Sequence, residues 1–283
     1  MSTLTIERIA GALGAEVRGI DLTTDLTDHE VAALRAALLE HQVVFLRDQP
    51  YATEHLERLT MQLGGHGHTP FLESMDGHPG VVRVVREASE SGFNFGGQWH
   101  SDWSFQPEPP AFTLLWSLEV PPHGGDTMWA NMALAFDTLS PGLRETLSTL
   151  RAVHSAGWAY SSNGVLARTA SQRSMQIATS DEALAEHVHP VIVTHPETGR
   201  QTLFINPTYT VRFDGWSAAD SAPLLQHLYA HATRDAFTCR FRWTPDTLAI
   251  WDNRVTQHNA LNDYAGFRRE LHRTTVAGST PVS

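Results

Sequence analysis

Apolar positions along the chain switch between helical spacing and strict alternation, and these changes of period outline the fold. Gly11–Leu22 carries short alternating apolar residues broken by glycines and reads as a small strand pair. Thr27-Asp28-His29-Glu30 has the spacing of a capping box, and Val31, Leu34 and Leu38 follow at helical intervals. A helix is therefore expected from about Asp28 to His41. Val43–Leu46 is an unbroken apolar run of strand length. Thr53 starts a second helix, with Leu56, Leu59 and Leu63 on one face and Gly64-Gly65 as its stop.

Val81–Val85 reads as strand, and a glycine-rich turn runs from Gly92 to Gly97. The prolines of Gln106–Pro110 forbid a helix and force an irregular connection. Ala111–Val120 is a strong strand, and Pro121–Asp126 is a turn that delivers Thr127–Ala130. Ser140-Pro141 opens a helix, with proline at its permitted first position and Leu143, Leu147 and Leu150 along one side. Residues 160–189 are polar and aperiodic and read as an insertion or lid. Val188–Thr194 and Gln201–Asn206 are short strands around a Thr198-Gly199 turn, and Ser217–Thr233 is helical. Phe237–Trp243 alternates cleanly, Leu248–Trp251 is a strand, and Arg268–Val276 is extended. No internal repeat, low-complexity tract or linker divides the chain. The pattern predicts one domain over residues 1–283, mainly β, as a sandwich or jelly roll with helices packed outside.

Composition narrows the function classes. The 283 residues are 41% apolar and 18% charged, ordinary for a globular protein with a sizeable core. A net charge of -11 argues against a nucleic-acid partner, for which a basic surface is expected. Met1–Arg8 lacks a basic start followed by a long apolar run, so no signal peptide is expected, and no stretch is apolar enough to span a bilayer. Cys239 is the only cysteine, which excludes an intrachain disulfide and makes a reducing cytoplasm the simplest location.

Candidate chemistry centres on Gly96–Trp103. In an extended segment residues two apart share a face, so His100 and Asp102 are placed to grip one metal ion. With a second histidine they form the two-imidazole, one-carboxylate set that binds non-heme Fe(II) with open positions. One His-x-Asp is not diagnostic in a chain of 16 histidines and 31 acidic residues, and a surface pair has the same pattern. His258, in the polar stretch after the Leu248–Trp251 strand, is the third-ligand candidate and is expected in a loop. Arg269 and Arg273 lie four apart in an extended segment and so face one side. Two guanidiniums aimed into one space suit carboxylate or sulfonate groups, unless surface acids pair with them. His187 and His189 form a rival ligand pair without a carboxylate at ligand spacing.

Trp99-His-Ser-Asp102, Trp251-Asp-Asn-Arg-Val-Thr-Gln-His258 and Arg268-Arg-Glu-Leu-His-Arg273 together resemble the Fe(II)/2-oxoglutarate-dependent dioxygenases of the taurine and chlorophenoxyacetate dioxygenase group. Gly14–Leu22, Gly124–Thr127 and the run from His189 through Asn206 extend the resemblance over nearly the whole chain. It implies a double-stranded β-helix, or jelly roll, flanked by α-helices. By this resemblance His100, Asp102 and His258 are the metal ligands, and Arg269 with Thr127 holds the distal carboxylate of 2-oxoglutarate. Arg273 and His68 match positions that hold the anionic group of the primary substrate, and Trp103 one whose backbone approaches it.

The activity implied is hydroxylation of a C–H bond in a small anionic substrate, with Fe(II), 2-oxoglutarate and O2 as cofactor and co-substrates. The same chemistry ending in desaturation, cyclisation or isonitrile formation is the alternative, as is a non-catalytic ligand-binding jelly roll. A homo-oligomer is expected. Phe71 stands where the taurine enzyme has a tyrosine, and Trp103, Trp158 and Tyr160 offer aromatic bulk either to a pocket or to the core. A substrate with more apolar body than taurine is therefore expected.

Overall fold

The computed structural model describes residues 4–92 and 94–283. Met1–Thr3 of the amino-terminal stretch and Phe93 of the Gly92–Gly97 turn lie outside the described residues. In chain order the first elements are strands β1 (Thr5–Arg8) and β2 (Ala15–Arg18), helix α1 (Asp28–His41), β3 (Val43–Leu46), α2 (Thr53–Leu63), β4 (Ser74–Met75), β5 (His78–Arg86) and β6 (Phe112–Glu119). The amino-terminal strand pair thus starts earlier than the Gly11–Leu22 pattern predicts, and Gly14, at φ +94°, lies in its connection. Helix α1 carries the expected capping box: the Thr27 side chain accepts from the Glu30 amide, and Glu30 reaches back to the Thr27 amide.

The middle of the chain forms β7 (Thr127–Asn131), helices α3 (Met132–Asp137) and α4 (Pro141–Ser148), β8 (Arg151–Ser155), the short helices α5 (Gly157–Tyr160) and α6 (Val165–Arg168), β9 (Glu186–Pro190), β10 (Ile192–Thr194), β11 (Gln201–Leu203) and β12 (Thr210–Phe213). Helix α7 (Ala218–Ala232), β13 (Thr238–Phe241), β14 (Thr247–Asp252), β15 (Thr256–Ala260) and β16 (Arg269–Val276) complete it. The architecture is mainly β with helices.

Eight strands form one sheet in the order β1-β2-β3-β14-β6-β16-β5-β4, and β13-β7-β15 form a smaller one. Side chains of the large sheet alternate strictly between two hydrophobic layers. Val44, Leu46, Leu114, Ile250 and Val276 pack with α1 and α2 on the outer face. Their neighbours Val43, Phe45, Leu115, Trp251 and Leu271 turn inward to Trp129, Phe241 and Trp243 of the small sheet and its extension. On β16 this parity puts Arg269, Leu271 and Arg273 inside. His272 and Thr274 face outward, meeting Tyr51 and Thr60. Residues 160–189, the expected insertion, contribute Leu166, Met175 and Ala183 to a third apolar cluster with Leu72, Trp103 and Phe105.

Candidate metal and co-substrate site

His258 lies on a strand, β15, and not in a loop as the polar sequence around it suggests. Its register partner on β7 is Trp129, a core residue, so both side chains point into the space between the sheets. On the free edge of β15 the backbones of His100 and His258 exchange two hydrogen bonds, of 3.0 and 2.8 Å. The two imidazoles are thereby set side by side, with ring centroids 4.1 Å apart.

Past His100 the chain turns, with Trp103 in the left-handed region at φ +50°. That conformation is costly for a bulky side chain and persists only where packing enforces it. Here Trp103 is fully buried beneath the Arg273 guanidinium, 4.9 Å from its ring. The turn aims Asp102 Oδ1 at both histidines, 3.5 Å from His100 Nε2 and 3.9 Å from His258 Nε2. Ligand atoms of all three residues lie within 4.8 Å of one another.

The donor set fits a metal ion. His100 Nδ1–H donates to the Gln98 carbonyl at 2.7 Å, which fixes the tautomer and leaves the Nε2 lone pair facing Asp102. Burial, reinforced by the neighbouring His100 imidazole and Arg273 guanidinium, holds His258 neutral well below the usual histidine range. Burial opposes the charge on Asp102, yet Arg273, His258 and His100 together keep its carboxyl well below the usual carboxylate range. A charged carboxylate flanked by two available imidazole lone pairs is the chemistry that borderline divalent metals take.

Asp102, Trp103 and Arg273 line a cavity of about 400 Å3 together with Tyr160, Thr208 and Tyr209. Arg273 Nη2 sits 3.0 Å from Asp102 Oδ1, and its Nε has no hydrogen-bond partner among the described residues. A second cavity, of about 430 Å3, adjoins the first along Phe95 and Leu166 and is lined by Arg269, Tyr264 and Asn94. Arg269 is buried, and its Nε and Nη2 have no hydrogen-bond partner among the described residues. A buried guanidinium with two unanswered donors is stabilised by a bidentate anion, and a carboxylate matches it. Thr127 Oγ1 accepts a 3.0 Å hydrogen bond from Trp243 Nε1, whose ring also lies 5.8 Å from the Arg269 guanidinium. An accepting hydroxyl keeps its own proton for a further acceptor. These residues fit a metal ion and a keto-dicarboxylate together.

The structure thus brings together His100, Asp102, His258, Trp103 and Arg273, and sets both Thr127 and Arg269 against Trp243. His68 is not brought to that cavity. It borders a separate surface cavity beside His66 and Glu108, and its carbonyl accepts from Gln106. Phe71 stacks on Tyr160 with centroids 5.0 Å apart. Of the rival pair, His189 Nε2–H donates to the Gln106 carbonyl, 2.9 Å away, and His189 belongs to a buried cluster with His154. Sequence reasoning missed Tyr209, Thr208 and the Asp102 partners Thr113 and Asn253. Only Asn253, inside the Trp251–His258 motif, carried a signal.

Two imidazoles and one carboxylate closing on a point, with an anion-seeking guanidinium behind them, define a mononuclear metal site that takes an organic acid as co-ligand. A model of the taurine catabolism dioxygenase TauD, TfdA family matches residues 5–275, and the chain belongs to this family. It is 36% identical over 281 residues to an alpha-ketoglutarate-dependent sulfate ester dioxygenase of Pseudomonas putida, covering 99% of this chain and 91% of that protein. Its fold is similar to that of a taurine dioxygenase from Burkholderia xenovorans, with a TM-score of 0.82, 34% identity, and coverage of 99% and 91%. It is also similar to AAD-2 in complex with Mn(II) and N-oxalylglycine, with a TM-score of 0.80, 26% identity, and coverage of 99% and 100%.

Proposed function

We propose that the protein is an Fe(II)- and 2-oxoglutarate-dependent dioxygenase that hydroxylates a C–H bond of a small anionic substrate, a sulfonate, sulfate ester or carboxylate. The observation that carries this reading is the convergence of His100 Nε2, His258 Nε2 and Asp102 Oδ1 beside the unanswered donors of buried Arg269. When bound, iron and 2-oxoglutarate supply the oxidising power: one atom of O2 goes into succinate as CO2 leaves, and the other enters the substrate.

His100, Asp102 and His258 hold the metal through two neutral nitrogens and one anionic oxygen. Arg269 and the Thr127 hydroxyl anchor the far carboxylate of the co-substrate, so that its keto-acid end is presented to the metal. Arg273 orients the substrate anion in the inner cavity, where Trp103 and Tyr160 exclude water. We further infer that the two sheets form a double-stranded β-helix over one domain. The inward and outward alternation of the large sheet supports this, with residues 160–189 acting as lid over Trp103. No helix among the described residues is long and apolar enough to cross a membrane. A cytoplasmic location and a homo-oligomeric state complete the reading, the latter checked by light scattering on the eluted protein.

The test is succinate release from 2-oxoglutarate with Fe(II) and a panel of sulfonates, sulfate esters and carboxylates. At least one acid is expected to raise release above the substrate-free rate, and His100→Ala to abolish it. A wild-type rate unchanged by Fe(II) would overturn the proposal.

A further inference from the structure

On strand β6 the parity that turns Leu115 inward also turns Thr113 inward, where it is fully buried opposite Trp251 of β14. A hydroxyl in such a place costs free energy unless its hydrogen bonds are made, and here they are. Thr113 Oγ1 donates to Asp102 Oδ2 at 2.7 Å and accepts from Asn253 Nδ2 at 2.9 Å. Asn253 Oδ1 in turn accepts from Trp251 Nε1 at 2.9 Å and from the Asp102 amide at 3.4 Å. The backbone amide of Asn253 donates to the Ala111 carbonyl at 2.9 Å, which pins the chain leaving β14 against the start of β6. All four side chains are buried.

The direction of each bond follows from the far end of the chain of donors. An indole Nε1 can only donate, so the Asn253 side chain presents its oxygen to Trp251 and its amino group to Thr113. The Thr113 oxygen is therefore an acceptor, and its single proton is left for Asp102 Oδ2. With Oδ2 engaged, Oδ1 is the oxygen that faces the imidazoles, 3.5 Å from His100 Nε2 and 3.9 Å from His258 Nε2. Arg273 Nη2 lies 3.0 Å from the same oxygen. A carboxylate beside a guanidinium tends to pair with it through both oxygens, and the bond to Thr113 denies Arg273 the second one.

We infer that Thr113, oriented by Asn253 and Trp251, is a positioning residue that makes Asp102 a one-oxygen ligand and holds Oδ1 at the metal position. The inference rests on the metal-site reading above and deepens it. A second oxygen from Asp102 would occupy a position that the co-substrate needs, and a carboxylate swung onto Arg273 would leave the two histidines without their anionic partner.

Calorimetric titration of the metal-free protein with Mn(II) tests it. Thr113→Ala and Thr113→Ser differ only by the hydroxyl: Ala is expected to weaken Mn(II) binding by about 10- to 100-fold, and Ser to keep the wild-type affinity. Thr113→Val, which preserves the shape of the side chain, should lose as much as Ala. Melting temperatures of the metal-free variants separate this from packing. A merely structural hydroxyl would lower the melting temperature of Thr113→Ala and leave the Mn(II) affinity of the folded protein unchanged, and that result would overturn the assignment. So would a Ser variant as weak as the Ala variant. A wild-type protein that takes up no Mn(II) would instead sink the metal-site reading itself.

Discussion

Arg269 and Arg273 are four residues apart on one strand, yet their surroundings divide the labour between them. Arg273 lies against Asp102 and Trp103, within reach of whatever enters the inner cavity. Arg269 lies over Trp243 and Tyr264, and burial pulls its pKa below the ordinary arginine value, offset in part by Tyr264 and Asp126. A bound carboxylate relieves that penalty. Replacing Arg269 by Ala should therefore raise the KM for 2-oxoglutarate by about 10- to 100-fold, the range for a lost hydrogen bond to a charged group, and move the substrate KM by less than about twofold. Steady-state kinetics with each reactant varied in turn decides it, and equal weakening of both would reverse the division of roles.

At the scale of elements, legibility followed the strength of the local pattern. Helix α1 was readable to the residue because Thr27 and Glu30 state its start and the apolar interval states its face. Strand β16 was readable for the same reason, and with it the common side of the two arginines. Helix α3 was not, because Met132–Asp137 continues the apolar run of β7 and nothing in composition separates them. Strands β8 and β12 were hidden by polar residues that the fold buries, such as His154 and Thr210. His258 looked like a loop residue because its neighbours Thr256 and Gln257 are polar. Both are buried, with Gln257 Nε2 donating to the Ile205 carbonyl. Thr113 was invisible as a site residue: its strand announces only alternation, and its bond to Asp102 exists only after folding.

The whole molecule carries a second histidine population that the proposed chemistry does not use. His154 and His189 pack against each other with centroids 5.4 Å apart, in a cluster with Ser104 and Phe204. Burial lowers His154 to about 3, with His189 adding to the shift, and lowers His189 to about 4, partly offset by the Gln106 carbonyl. Both are neutral in the fold, whereas the unfolded chain takes up protons near pH 6.5. Their contribution to stability is therefore complete above about pH 6.5 and is lost progressively as pH falls towards 4. By pH 5 each costs up to about 2 kcal/mol. Glu270 behaves differently: Arg83, Arg268 and His272 hold it near 2 against burial, so its support fades only below its ordinary value of 4.5. His41, His258 and His272 are also lowered and titrate with the same sign as the pair. The readout is accordingly a difference. Urea unfolding at pH 7 and pH 5 should show a smaller loss for His154→Gln than for the parent protein, and an equal loss would refute the account.

Strand β16 ties two recognition events to one structural variable. Because both guanidiniums hang from odd-numbered positions of a single ribbon, a one-residue slip of β16 against β5 and β6 would expel them together and bring Glu270 and His272 indoors. Affinity for co-substrate and for substrate can drift independently through point changes. Through a slip of register they can only disappear at once.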